Sequence, residues 1–185
     1  YTMVRDRCVK GTVDPDGDRP WFEVIMKAYR RIPSQQLSWV KDVQINLNYY
    51  GQAIKLTHNL KVELDGKEID VPRTLDGDEI YIGSLPSAVF VSDKYIGLEV
   101  RWNGREVEIV FAEDHENSGD ICGMCGYYDG QPLNDLTLGP DSGNCLSQFD
   151  ETWLPGNVTT DENVFGHSWT YAVDDQHCRD DCSGV

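Results

Sequence analysis

A chain of 185 residues with a formal net charge of −16, 39% hydrophobic residues and six cysteines can bury about two-thirds of its unfolded surface in one large domain. The charge argues against nucleic-acid backbones and anionic membrane surfaces as partners, and no apolar run of about eighteen residues offers a helical membrane span. Six cysteines without a haem or iron–sulfur pattern favour disulfides, and with them an oxidising, extracellular compartment.

Residues 1–8, Y-T-M-V-R-D-R-C, read as a short strand ending at Cys8. Because Tyr1 falls inside that strand, the chain is expected to be a processed or partial piece of a secreted precursor. Asp14-Pro15-Asp16-Gly17-Asp18 is turn chemistry. An EF-hand would need Gly where Arg19 stands and Glu where Ile25 stands.

From Trp21 onward the apolar period is two. Phe22, Val24 and Met26 fall in one run, and Val43, Ile45, Leu47 and Tyr49 alternate with polar neighbours. Ile54 and Leu56, Val62 and Leu64, Ile69 and Val71, Ile80 and Ile82, Val89 and Val91, Leu98 to Trp102, and Val107 to Phe111 continue the series. Asp65-Gly66 and Asn103-Gly104 are hairpin signals, since both residue pairs tolerate the positive φ of tight turns. The pattern predicts about nine strands and no helix, an all-β fold closing as an antiparallel β-sandwich.

After Phe111 the composition changes. Residues 1–111 hold 17 Asp and Glu against 15 Lys and Arg, whereas residues 112–185 hold 15 against Arg179 alone. Residues 1–136 are read as the sandwich together with the turn I-C-G-M-C-G-Y-Y-D-G-Q-P-L-N-D-L (121–136). Residues 137–185 are read as a loop-rich, acidic continuation with a closing strand at Ser168-Trp169-Thr170-Tyr171 and a tail Cys178-x-x-x-Cys182. Asn157-Val158-Thr159 is an N-glycosylation acceptor at Asn157.

Four chemistries can be weighed on these residues. Structural zinc would use Cys122, Cys125, Cys178 and Cys182, but more than fifty residues separate the pairs, and extracellular thiolates oxidise. Thiol–disulfide exchange would use Cys122-Gly-Met-Cys125, yet the acidic neighbours do not favour a thiolate. No G-x-S-x-G or H-E-x-x-H is present to carry hydrolysis. Calcium is the stronger lead. Asp129, Asn134 and Asp135, spaced by a turn with Gly130 and Pro132, can fold hard oxygens around one ion, although the same spacing also suits a metal-free Asx-rich turn.

The C-G-M-C-G turn with its Asp and Asn residues resembles the signature of the von Willebrand factor type D module, found in mucins, zonadhesin-like proteins, tectorins and vitellogenin-type lipoproteins. Residues 1–8 are similar to the family's Y-x-L-x-x-D-x-C strand, residues 97–104 (G-L-E-V-R-W-N-G) to its G-L-x-V-x-W-D-G hairpin, and residues 165–169 (F-G-H-S-W) to its F-G-x-S-W. The resemblance implies a non-catalytic calcium-binding module of a larger secreted glycoprotein, acting in assembly, multimerisation or partner binding. Its calcium ligands would be Asp129, Asn134 and Asp135, with the carbonyls of Gln131 and Tyr127, the family having Asn at the latter position. It also implies a Cys8–Cys122 disulfide and upstream partners for Cys125 and Cys178, leaving Cys145 and Cys182. The family's G-D-P-H and T-F-D-G segments, the latter carrying a further calcium ligand, are not in this sequence. The implied partner is therefore an upstream part of the same module, held covalently as a cleaved fragment, and the chain by itself is expected to bind calcium weakly. Disulfide exchange through Cys122 and Cys125 is the alternative, and a secreted luciferase built on the module is a second.

Overall fold

A computed structural model describes residues 1–6, 20–30, 38–112, 121–139 and 158–169. The chain divides into two compact units, one formed by Tyr1–Pro20 with Asn117–Val185 and the other by Trp21–Glu116.

The second unit is built of strands alone among its described residues. In one antiparallel sheet β2 (Phe22–Arg30), β3 (Ser38–Leu47), β4 (Gln52–Thr57), β5 (Val62–Leu64) and β6 (Lys67–Ile69) follow one another in order. In the other, β7 (Arg73–Leu75), β8 (Ile80–Leu85), β9 (Ala88–Asp93), β10 (Leu98–Trp102) and β11 (Val107–Phe111) do the same. The period-two pattern has a direct physical outcome: Val43, Ile45 and Leu47 of β3, Ile54 and Leu56 of β4, Ile80 and Ile82 of β8, and Val89 and Val91 of β9 are buried, each contributing about 1.5–3 kcal/mol of transfer free energy. The sheets meet where the Phe22 and Phe111 rings lie 5.8 Å apart and where the buried Trp102 indole N–H donates to the Thr57 carbonyl at 2.9 Å.

The turns follow their residues with one difference. Asp65 and Gly66 join β5 to β6 as a two-residue hairpin, Leu64 opposite Lys67, with φ of 50° and 78°, which is the geometry this dipeptide favours. Asn103-Gly104 lies instead in a four-residue connection, since Trp102 pairs with Val107. The Asn103 side-chain oxygen accepts the N–H groups of Arg105 and Glu106 at 2.9 and 2.8 Å, so the Asx turn carries the chain further before pairing resumes. The short strand β7 is an addition to the expected series.

The expected strand at residues 168–171 is corrected. Ser168 ends a helix, α1 (Glu162–Ser168), Trp169 lies in the turn that follows, and Thr170 and Tyr171 lie outside the described residues. Asp161 starts the helix: its Oδ1 accepts the Val164 N–H at 3.3 Å and its carbonyl accepts the Phe165 N–H at 3.0 Å. Val164, Phe165, Ser168 and Trp169 are all buried, a helical face that Ser-Trp-Thr-Tyr, read by itself, conceals.

One buried acid gives a pH-dependent expectation. Asp93, 1% exposed, accepts the Ile96 N–H with Oδ1 at 3.0 Å, while its Oδ2 has no hydrogen-bond partner. Burial pushes its pKa above the usual carboxylate value, the Ile96 and Tyr95 N–H groups oppose that, and Glu79 and Asp76 add to it. A raised folded pKa adds stability that is fully present below the unfolded value of 3.8 and is lost as pH rises through the folded value. Above that window the buried carboxyl is therefore a cost to the fold. Asp93→Asn keeps an oxygen for Ile96 and is expected to raise the melting temperature at neutral pH, with the gain shrinking as the medium is acidified. Thermal unfolding followed across pH checks this, and a gain that grows on acidification contradicts it.

Candidate functional site

The double-cysteine turn lies in the first unit, against β1 (Thr2–Arg5). Arg5 and Cys122 form an antiparallel bridge, exchanging N–H···O bonds of 2.8 and 3.0 Å. Met124 N–H donates to the Thr2 carbonyl and Cys125 N–H to that of Met3, each at 3.1 Å. This approach leaves no room for a side chain at Gly123, where a Cβ would overlap the Met3 carbonyl oxygen. The first glycine of C-G-M-C-G is thus fixed by contact with the first strand.

Helix α1 and its flanks hold the other side. Cys122, Phe165 and Trp169 form a buried cluster against which Met124, Tyr127 and Leu136 pack. The Trp169 indole donates to the Thr137 carbonyl at 3.1 Å, and its carbonyl accepts the Thr2 N–H at 2.9 Å. Ser168 Oγ accepts the Gly139 N–H at 2.9 Å and donates to the Phe165 carbonyl at 2.7 Å. Phe165, Ser168 and Trp169 of the F-G-H-S-W run therefore clamp the turn, a supporting role that residue type alone did not disclose.

The acidic residues fold inside this clamp. Asp129 Oδ1 accepts the Gln131 N–H at 2.9 Å, and its Oδ2 accepts the Asn134 side-chain amide at 2.7 Å. Pro132 to Asn134 form one turn of 3-10 helix, with the Gln131 carbonyl accepting the Asn134 N–H at 3.3 Å. Asp135 Oδ1 accepts the Tyr127 N–H at 3.1 Å. Asp129 and Asn134 are thus in direct contact, while Asp135 turns toward the backbone at Tyr127. Gly126, with φ of 89°, makes space for it: a Cβ there would meet Asp135 Oδ1 at 2.6 Å. The Tyr127 phenol is raised above its ordinary pKa first by burial and then by Asp129.

One buried side-chain atom in this turn has no partner. Asn134 Oδ1 is buried and has no hydrogen-bond partner. The carboxylate of Asp129 holds the amide nitrogen, so the oxygen is the end left over. A buried amide oxygen without a partner costs about 1–3 kcal/mol, and a hard cation is a partner that restores the balance. The residues present therefore fit calcium. Among the described residues no group of three or more His, Cys, Asp or Glu is placed to hold a metal, so such an ion would depend on the amide and on backbone carbonyls as well as on Asp129 and Asp135.

Cys122 is disulfide-bonded and Cys125 carries a free thiol, so the partner of Cys122 lies outside the described residues. So do Cys8, Cys145, Cys178, Cys182 and Asn157. Although Cys125 reaches the surface, burial around its thiol raises the pKa. Thr159, the third residue of the glycosylation triplet, is buried and accepts the Asp161 N–H at 3.0 Å.

A family model described as von Willebrand factor type D domain matches residues 1–141. Human alpha-tectorin is 30% identical over 169 residues, 89% of this chain and 7% of that protein. Mouse alpha-tectorin is 32% identical over 72% of this chain and 6% of its own length, and human zonadhesin 24% identical over 94% of this chain and 6% of its own. The chain spans less than a tenth of each of these relatives.

Proposed function

Because the chain belongs to the von Willebrand factor type D family, we propose that it is a non-catalytic, calcium-binding module of a larger secreted glycoprotein, acting in assembly, multimerisation or partner binding. The observation that carries the calcium reading is the buried, unpartnered Asn134 Oδ1 in an acidic turn. Asp129, Asn134 and Asp135 would hold the ion by their side chains, with the carbonyls of Tyr127 and Gln131 completing the protein's share. Bound calcium supplies positive charge that offsets the two carboxylates and ties the turn to itself. The chain's own part is to present the turn at a fixed angle between β1 and α1, where partners in an assembly can recognise it.

The disulfide at Cys122 supports an oxidising, extracellular setting. In that oxidising setting the free thiol of Cys125 and a thiol of an upstream part of the same module can be oxidised to a disulfide, the two electrons and two protons passing to an oxidant of the compartment. Disulfide exchange is the less supported reading, because Cys122 is not bonded to Cys125 and burial raises the pKa of the Cys125 thiol, which disfavours the thiolate. Asn157 is the proposed glycan site.

Calorimetric titration of the chain with calcium tests the reading. The expected affinity is weak, a Kd of about 10⁻⁴–10⁻³ M as for extracellular modules. Asp129→Ala should abolish saturable heat. Gly126→Ala should weaken binding as well, because its Cβ displaces Asp135 and because φ of 89° strains alanine by about 1–3 kcal/mol. Equal heats for wild type and Asp129→Ala contradict a calcium site in this turn.

A further inference from the structure

One end of the second unit carries a surface that the calcium turn does not use. There β2 begins, β3 turns into β4, β7 into β8 and β9 into β10. Tyr49 and Tyr95 stand on two of these turns, 54% and 56% exposed, with their rings stacked at 5.3 Å between centroids and 14° between planes. Trp21 lies 5.7 Å from Tyr49, and Tyr50 meets Tyr49 edge-on at 5.2 Å. Contiguous exposed rings on connecting turns are the kind of apolar patch that marks a binding surface.

The charges beside the rings decide what binds. Asp76 and Glu79, both exposed, belong to the β7–β8 turn, and Gln52 Nε2 at the start of β4 donates to Asp76 Oδ2. Asp93 is buried nearby with one carboxylate oxygen unpartnered. Tyr50 registers this field: its pKa is pushed up to about 12, first by burial and then by Asp93, Glu79 and Asp76. Lys94 is a cation in the same turns, and its ammonium is bound to the Asp78 carbonyl at 2.9 Å. Negative potential thus lies over exposed aromatic faces. A cation is attracted by the ring quadrupole and by the carboxylates together. Guanidinium suits the pair best, because it stacks flat on tyrosine and bonds carboxylates through a planar fork. A neutral sugar could stack on the rings and donate its hydroxyls to the acids, but it would gain nothing from their charge.

We propose that the Tyr49–Tyr95 platform, with the Asp76 and Glu79 carboxylates, is a docking surface for an arginine-bearing basic segment of a protein partner. This surface is independent of the calcium turn.

The test is fluorescence polarisation with the whole 185-residue chain, at constant calcium. The probe is a fluorescein-labelled peptide in which three arginines alternate with glycine. Saturable binding is expected, weakened about tenfold by the Tyr49→Ala/Tyr95→Ala pair and retained by Tyr49→Phe/Tyr95→Phe, which keeps the ring faces. Asp76→Asn/Glu79→Gln should weaken it comparably, and a peptide with lysine for arginine should bind less tightly. The pair Glu63→Gln/Glu68→Gln, which lies on β5 and β6, should leave it unchanged. Should the alanine pair not fold, as circular dichroism would show, the acid pair and the lysine peptide decide the same question. Equal binding by the alanine pair and wild type would mean diffuse attraction to an acidic protein and would overturn the proposal. So would ring-dependent binding of a neutral oligosaccharide without binding of the arginine peptide.

Discussion

Replacing Trp102 by alanine is expected to destabilise the second unit by about 3–5 kcal/mol, the range for deleting a large buried aromatic side chain. Trp102 ends β10, is fully buried, and is a residue through which one sheet bonds the other, its indole N–H reaching the Thr57 carbonyl at 2.9 Å. Alanine leaves a cavity between the sheets and removes the donor to that carbonyl. Phenylalanine separates the two effects, since it restores most of the volume and loses the hydrogen bond, for which about 1 kcal/mol is expected. Urea unfolding followed by far-UV circular dichroism measures both variants without relying on tryptophan fluorescence. If Trp102→Ala costs less than Trp102→Phe, the indole is not a central packing element and the account of the core is wrong.

Cys122→Ser is expected to cost about 2–5 kcal/mol, as removal of a native disulfide from a secreted domain does. Two further features enlarge the effect. The residue is 3% exposed within the cluster with Phe165 and Trp169, so a serine hydroxyl would be buried among aromatic rings. It is also bridged to β1 through Arg5, so loosening it loosens the strand that supports the turn. Thermal unfolding of the variant should match that of wild type in reductant to within the burial penalty. Reductant that leaves the wild-type melting temperature unchanged contradicts a stabilising bond at Cys122.

The strands of the second unit were legible because alternation is a local property. Val43, Ile45 and Leu47 show their buried face without reference to any other segment, and Asp65-Gly66 declares its hairpin in two residues. Helix α1 was less legible. Gly166 interrupts a short apolar face, and Ser168-Trp169-Thr170-Tyr171 imitates a strand; the signal available was Asp161, a capping residue three positions before Val164. The acidic residues of the double-cysteine turn stand close together in the sequence, but their arrangement could not be read from it. Gly123 owes its identity to the carbonyl of Met3, and Gly126 to the side chain of Asp135. The contact of Asp129 with Asn134 determines which amide atom is left without a partner. These are tertiary facts, set by β1 and α1 closing on the turn from both sides.

Terbium luminescence reports on whether Asp129, Asn134 and Asp135 form a calcium site. Terbium takes the oxygen ligands that calcium takes, and Tyr127 and Tyr128 stand in the turn itself, placed to sensitise its emission. On tyrosine excitation the wild-type chain should give terbium emission that calcium displaces. That emission should be lost in Asp129→Ala and in Asn134→Ala, and retained in Asp76→Asn/Glu79→Gln. Emission that survives both turn substitutions, or disappears only when Asp76 and Glu79 are neutralised, contradicts a calcium site in this turn.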